Sequence, residues 1–287
     1  MKVLFLFIDG VGIREPAPDN PVNPDVCPVL CSLIAEHATL IDACLDVAGL
    51  PQSATGQTTM FTGINTSKFM GRHCEGFPGP SLRKIIEEGN LMMSLRSIGV
   101  RCRFADAYLV DDIDDIRVRR FKSVTTVMAL TRPEIICTRD DLDDCQAVTH
   151  DITREILREK GHQLETVTPL EAADHLMQVV RANDFTLFEH FQTDLAGHSR
   201  DYEKAATTLS ILDQFLGGVL RLCEAAGVLV ILTSDHGNIE DLSTRGHTRN
   251  PIPLVTVGPG AEAFRNGITS LIDITPRLLK LFEGEAK

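Results

Sequence analysis

The sequence has no C-x-x-C pair of cysteines, no apolar run of membrane-spanning length and a deficit of positive charge. Its eight cysteines, at irregular intervals, do not lay out a disulfide framework. Cys27, Cys31, Cys44 and Cys223 lie in apolar surroundings suited to buried free thiols, so the expected compartment is a reducing cytoplasm. The apolar run at residues 3–8 is too short for a spanning helix. It ends in Asp9-Gly10 with no small-residue cleavage site, and it reads as a buried strand rather than a signal peptide. With 28 Lys and Arg against 40 Asp and Glu, the formal charge of −12 excludes a surface built for nucleic acid or an anionic membrane. An anionic small molecule would have to be attracted locally.

What is present fits a globular α/β chain. At 287 residues with 43% hydrophobic content, one continuous core carrying an insertion is expected. Strands are expected at 3–8, 185–191, 228–233 and 253–257. The first three end in potential ligands: Asp9, Asp194 and the pair Asp235-His236. Open α/β sheets build their sites beyond the carboxyl ends of their strands. Leu209, Leu212, Phe215, Leu216 and Val219 recur at helical spacing within 202–226. Thr168-Pro169-Leu170-Glu171 is a capping-box start, and Asp273 or Thr275 is expected to cap a closing helix. Residues 65–165 are denser in charge and read as a cap inserted into a core formed by 1–64 and 166–287, with cap helices over 82–98 and 144–160. The acidic run at 111–115 lacks the spacing of an EF-hand and reads as a solvated face.

Several polar residues suggest a metal centre. Asp194 and His198, four apart, would be aimed at a common point by one helical turn. Asp235 and His236, adjacent at a strand end, would diverge toward neighbouring metals if the backbone stayed extended, and Gly237 permits the turn after them. His247 lies in a loop stiffened by Pro251 and Pro253. Ser53, ahead of Ala54-Thr55-Gly56, is expected to cap a helix whose free N–H groups would favour an alkoxide or a phosphate. Its neighbours do not make the G-x-S-x-G elbow of serine hydrolases. Lys68, Arg72, His73 and Arg249 are candidates for holding a phosphate.

Together, Ile8-Asp9-Gly10, Ser53 with Gly63, Asp194 to His198, Ser234-Asp235-His236-Gly237-Asn238 and His247-Thr248-Arg249-Asn250-Pro251 resemble the alkaline phosphatase superfamily, most closely the metal-binding core of cofactor-independent phosphoglycerate mutases. The resemblance implies a three-layer α/β/α core with a mostly parallel sheet and a small inserted cap. It makes Ser53 the nucleophile, with one metal on Asp194, His198 and His247 and another on Asp9, Asp235, His236 and the Ser53 oxygen. Mixed His and Asp ligation suits zinc or manganese, with iron and magnesium compatible. Three carboxylates against two divalent cations leave about +1, a local attraction for phosphate in an acidic protein. The expected activity is hydrolysis of a small phosphate ester through a phosphoserine. The alternatives are a phosphomutase, a phosphodiesterase, or a non-catalytic metal-binding or sensing protein. The region 65–165 falls outside the resemblance, and the larger inserted domain of the mutases has no counterpart of similar size here.

Overall fold

The computed structural model describes residues 1–110 and 112–285. One seven-stranded sheet runs through it, built from β1 (Val3–Ile8), β2 (Ala38–Ile41), β3 (Cys102–Ala107), β4 (Ile136–Cys137), β5 (Phe185–His190), β6 (Leu229–Thr233) and β7 (Ile252–Val257). The spatial order is β2-β7-β6-β1-β5-β3-β4. β6, β1, β5, β3 and β4 are mutually parallel, while β7 is antiparallel to both β6 and β2.

β1 shows why its run is apolar throughout. Val3, Phe5 and Phe7 enter one core, and Leu4, Leu6 and Ile8 enter the other. A strand covered on both faces has no solvated side to carry polar residues. Helices Pro28–His37, Pro169–Ala182 and Tyr202–Ala226 bring Leu30, Leu176 and Leu212 to one face. Helices Ser53–Thr62, Leu91–Ser97, Val124–Leu130 and Ile274–Glu285 bring Phe61, Leu95, Val127 and Leu278 to the other. The result is the three-layer α/β/α arrangement with a mostly parallel sheet. Phe61 packs edge-on to Phe7 with ring centroids 5.8 Å apart, pinning the helix that begins at Ser53 to the central strand.

Several expectations are met closely. The helix over 202–226 forms as Tyr202–Ala226 and stops at Gly227, whose φ of 64° closes the last turn. Thr168 Oγ1 accepts from the Glu171 N–H at 3.2 Å, and Glu171 Oε2 accepts from the Thr168 N–H at 2.7 Å.

Others are corrected. Residues 65–165 are not a separate cap, because they supply β3 and β4 to the same sheet and seat Ile86, Leu95 and Val127 in its core. The helix expected over 82–98 is split into Pro80–Glu88 and Leu91–Ser97 by Gly89 and Asn90, and Asn90 caps the second piece by accepting from the Met93 N–H. Only Glu155–Glu159 is helical within 144–160, since Cys145, Ile152 and Arg154 adopt positive φ. Asp273 sits inside the first turn of the closing segment, where its carboxylate accepts from the Ser270 N–H, and the Thr275 hydroxyl donates to the Met60 carbonyl. All eight cysteines are free, but Cys31 and Cys44 are only half-buried. Asp111 of the acidic run lies outside the described residues, and Asp112, Asp114 and Asp115 are exposed. Among the described residues, no helix is long and apolar enough to cross a membrane.

Candidate metal centre

The carboxyl ends of β1, β5 and β6 lie side by side, which brings Asp9, Asp194, Asp235 and His236 together from distant parts of the sequence. Backbone and side-chain bonds stitch the three loops. Thr193 Oγ1 donates to the Asp9 carbonyl at 2.6 Å, and Ser234 Oγ accepts from the Val11 N–H at 2.9 Å while donating to the His236 carbonyl at 2.9 Å. Gly10 follows Asp9 with φ of 74°, and a Cβ there would come within 2.8 Å of Asp194 Cβ, so glycine is required both by conformation and by the close approach of the Asp194 helix.

Helix Gln192–Ser199 carries Asp194 and His198 on one face, as their spacing implied. His198 Nε2 lies 3.4 Å from Asp194 Oδ2, and His247 Nε2 lies 3.5 Å from Asp194 Oδ1. These three residues offer ligand atoms within 4.8 Å of one another, as do Asp9, Asp194 and His236 in a second group. His247 Nδ1 donates to the Pro51 carbonyl at 2.8 Å, which leaves the Nε2 lone pair facing the cluster, 3.2 Å from His198 Nε2. Burial, then the neighbouring His236, lower the His247 pKa to about 4, keeping that ring neutral.

Asp235 and His236 do not diverge as an extended backbone would require. The chain bends after β6, so that His236 Nε2 lies 3.6 Å from Asp235 Oδ2 and 3.3 Å from Asp9 Oδ1. The His236 ring stacks on His247 with centroids 3.6 Å apart.

Ser53 stands at the first position of its helix and not at the cap, which is Gln52 in extended conformation. Ser53 Oγ is 2.9 Å from His236 Nε2. Helix geometry leaves the first N–H groups of this turn without intrahelical acceptors.

The charge balance of the cluster calls for a cation. Burial, then Asp235 and Asp194, raise the Asp9 pKa well above the usual carboxylate value. Burial also opposes ionisation of Asp194, but the hydrogen bond with His198 and the nearby His236 outweigh it and hold Asp194 at about 2. Among the described residues, no Lys or Arg pairs with Asp9, Asp194 or Asp235. Asp9 Oδ1 and Asp235 Oδ1 are buried without a hydrogen-bond partner. Orphaned carboxylate oxygens beside three imidazole rings fit divalent cations, which would supply the missing partners.

The sequence reading missed four supporting residues. Gln57 donates to Asp9 Oδ2 at 3.1 Å and to Asp235 Oδ2 at 3.0 Å, holding one oxygen of each carboxylate. Glu240, fully buried, accepts from the Gly12 N–H, the Asn238 N–H, Thr248 Oγ1 and Asn250 Nδ2, and so ties the loops after β1 and β6 to the His247 loop. Asn238 Nδ2 donates to Asp194 Oδ1 at 2.6 Å. Glu189, beside the cluster on β5, accepts from Thr125 Oγ1 at 2.6 Å, and burial pushes its pKa up to about 7. Gln57 lies one helical turn beyond Ser53, which was the one available signal.

Of the phosphate candidates, none is joined to this cluster by a hydrogen bond. His73 is pinned by Ser67 Oγ and the Val47 carbonyl, and Arg249 donates to the Gly49 carbonyl at 2.6 Å. Arg72 and His73 line a cavity of about 510 Å³ that reaches Gln52, while Lys68 is exposed on the next helix.

Comparison with known proteins agrees with this geometry. A 111-residue stretch is 38% identical to the 2,3-bisphosphoglycerate-independent phosphoglycerate mutase of Roseobacter denitrificans, covering 36% of this chain and 22% of that protein. The mutase of the same description from Haloarcula marismortui is 28% identical over 155 residues, covering 50% of this chain and 28% of that protein. The matched stretches thus span about a quarter of these relatives' length. Among solved structures, the alkaline phosphatase of the Antarctic bacterium TAB5 superposes with a TM-score of 0.57 at 15% identity, covering 98% of both chains. The Leishmania mexicana phosphoglycerate mutase does so with a TM-score of 0.51 at 12% identity, covering 98% of this chain and 95% of that one, and at such identities the likeness is one of fold. The family model described as the Metalloenzyme superfamily matches residues 1–286, and the chain belongs to this superfamily of alkaline phosphatase-like enzymes.

Proposed function

We propose that the chain transfers a phosphoryl group through Ser53, hydrolysing a small phosphate ester. The observation that carries this reading is the placement of Ser53 Oγ 2.9 Å from His236 Nε2, with Asp9 beside the same ring nitrogen, at the start of a helix. Asp194, His198 and His247 would hold one divalent cation, and Asp9, Asp235, His236 and Ser53 Oγ a second. Such cations, when bound, lower the pKa of a serine hydroxyl and offset charge on the phosphoryl oxygens. Zinc or manganese suits this donor set best.

The chain's own residues supply the rest. Ser53 Oγ attacks phosphorus, the P–O bond to the substrate alcohol breaks, and the alcohol leaves with a proton. Water then cleaves the phosphoserine, releasing phosphate and restoring the hydroxyl. The first turn of helix Ser53–Thr62 presents N–H groups and a positive dipole end to the phosphoryl oxygens. Return of the phosphoryl group to the substrate instead of to water would make the enzyme a phosphomutase, the reading favoured by the names of its curated relatives. The free thiols fit a cytoplasmic location.

Phosphate release from a panel of phosphomonoesters and phosphodiesters, with zinc or manganese, tests the reading. Ser53→Ala is expected to abolish release while the metal content stays unchanged. Release that survives this substitution refutes the phosphoserine, and positional exchange without release selects the mutase.

A further inference from the structure

A cavity of about 340 Å³ opens at the carboxyl ends of β3 and β5, beside the metal cluster. Glu189 ties the two together, since it lines the cavity and pairs in register with Phe7, two residues ahead of Asp9. Two further links fix the cavity against the reacting groups. Phe77 comes from the loop whose Cys74 N–H donates to Thr55 Oγ1 at 3.2 Å, two residues beyond Ser53. Phe191 immediately precedes helix Gln192–Ser199, which carries Asp194 and His198. An ester whose phosphorus sits at Ser53 would therefore direct its alcohol portion into this space.

The lining states what that alcohol is. Phe77 and Phe121 face each other with ring centroids 5.3 Å apart, yet remain 53% and 58% exposed, a pair of aromatic surfaces left open at the rim. His150 stacks on Phe191 at 4.4 Å, which presents a second flat wall. Flat walls of this kind select planar rings. At the inner end, Asp106 Oδ2 accepts from the Glu189 N–H at 2.8 Å, whereas Asp106 Oδ1 is buried and has no partner. A buried acceptor left unpaired costs free energy that a ligand N–H or O–H would recover.

The geometry points to a leaving-group subsite for an aromatic alcohol that carries a hydrogen-bond donor. This rests on the phosphoryl-transfer reading above and narrows its substrate class.

The test uses the full chain loaded with manganese or zinc. Turnover of 3-hydroxybenzyl phosphate is compared with that of cyclohexylmethyl phosphate, ethyl phosphate and 3-phosphoglycerate. The benzyl and cyclohexylmethyl esters both release primary alcohols, so the comparison reads recognition more than leaving-group chemistry. Calorimetric titration with 3-hydroxybenzyl alcohol and 3-methoxybenzyl alcohol measures the subsite without turnover. The 3-hydroxybenzyl ester is expected to exceed the cyclohexylmethyl ester in kcat/KM by about tenfold. The 3-hydroxybenzyl-to-ethyl ratio should fall by about the same factor in Phe77→Ala and Phe121→Ala, whose side chains are more than half exposed. The methoxy alcohol should bind more weakly than the hydroxy alcohol. Serine-dependent turnover with no aromatic preference, or with preference for 3-phosphoglycerate, overturns the subsite and leaves the phosphoryl-transfer reading standing. Alcohol binding that is lost in both Phe variants, with no ester turned over, supports the ring subsite and overturns the hydrolase reading.

Discussion

At the scale of single residues, Gln57 shows how the site is held. One amide nitrogen meets Asp9 Oδ2 and Asp235 Oδ2 together, while the opposite oxygen of each carboxylate has no partner. Gln57→Leu is expected to weaken metal binding about 10- to 100-fold while the fold survives, as loss of an outer-shell partner does. Metal titration followed by elemental analysis would measure it, and unchanged affinity would remove the bracing role. Glu189 gives a pH signature. Its folded pKa of about 7 lies above the ordinary 4.5, so the protonated form favours the fold, and stability falls as pH rises from about 4.5 to about 7 and then levels. Metal-free Glu189→Gln should therefore be more stable than the parent at about pH 8, by on the order of 3 kcal/mol, and equal to it at about pH 4. Urea unfolding at the two pH values decides this, and equal stabilities at both would show that Glu189 ionises at no cost. That Asp9, Asp194, Asp235, His236 and Ser53 come together was legible because they stand at the ends of apolar runs or in small-residue turns. Gln57 and Glu240 were not, because what they do depends on contacts with residues 48 and 178 positions away, or on bridging three separate loops.

Among the elements, those legible in sequence were the ones whose local signals and tertiary role agree. β1, β5 and β6 are apolar runs buried on both faces, and Tyr202–Ala226 has one apolar stripe and a glycine stop. β3 was missed because Arg103 and Asp106 interrupt its run, and β4 because it is two residues long. Those two strands are why the expected inserted cap is part of the sheet. Helix starts gave clear signals where the cap is a side chain, as at Thr168. The start at Ser53 misled, because Gln52 in extended conformation begins that helix without any side-chain bond. Thr168→Ala removes the acceptor for the Glu171 N–H and is expected to cost about 1 kcal/mol in a denaturant titration, with phosphate release unchanged. No loss of stability would mean that Pro169 alone sets the start of this helix.

For the whole molecule, the cation cluster links three strand ends and a distant loop, so occupancy should be felt as global stability. Metal at about 100 times its Kd should stabilise the fold by about 2.7 kcal/mol, a rise in melting temperature that a chelator reverses. Ser53→Ala should keep most of that rise, because the remaining ligands are unchanged; a lost rise would make the serine oxygen the dominant ligand. The strand order carries a consequence for biosynthesis. β1, made before both, lies between β5 and β6, whose segments begin at Phe185 and Leu229, and Asp9 meets His236 only after β6 has been made. A nascent chain on the ribosome thus carries an apolar strand without either lateral partner through much of its translation, when chaperone protection matters most. Cations cannot template this early stage; they select the finished fold, so metal starvation should yield folded but empty protein rather than an arrested chain.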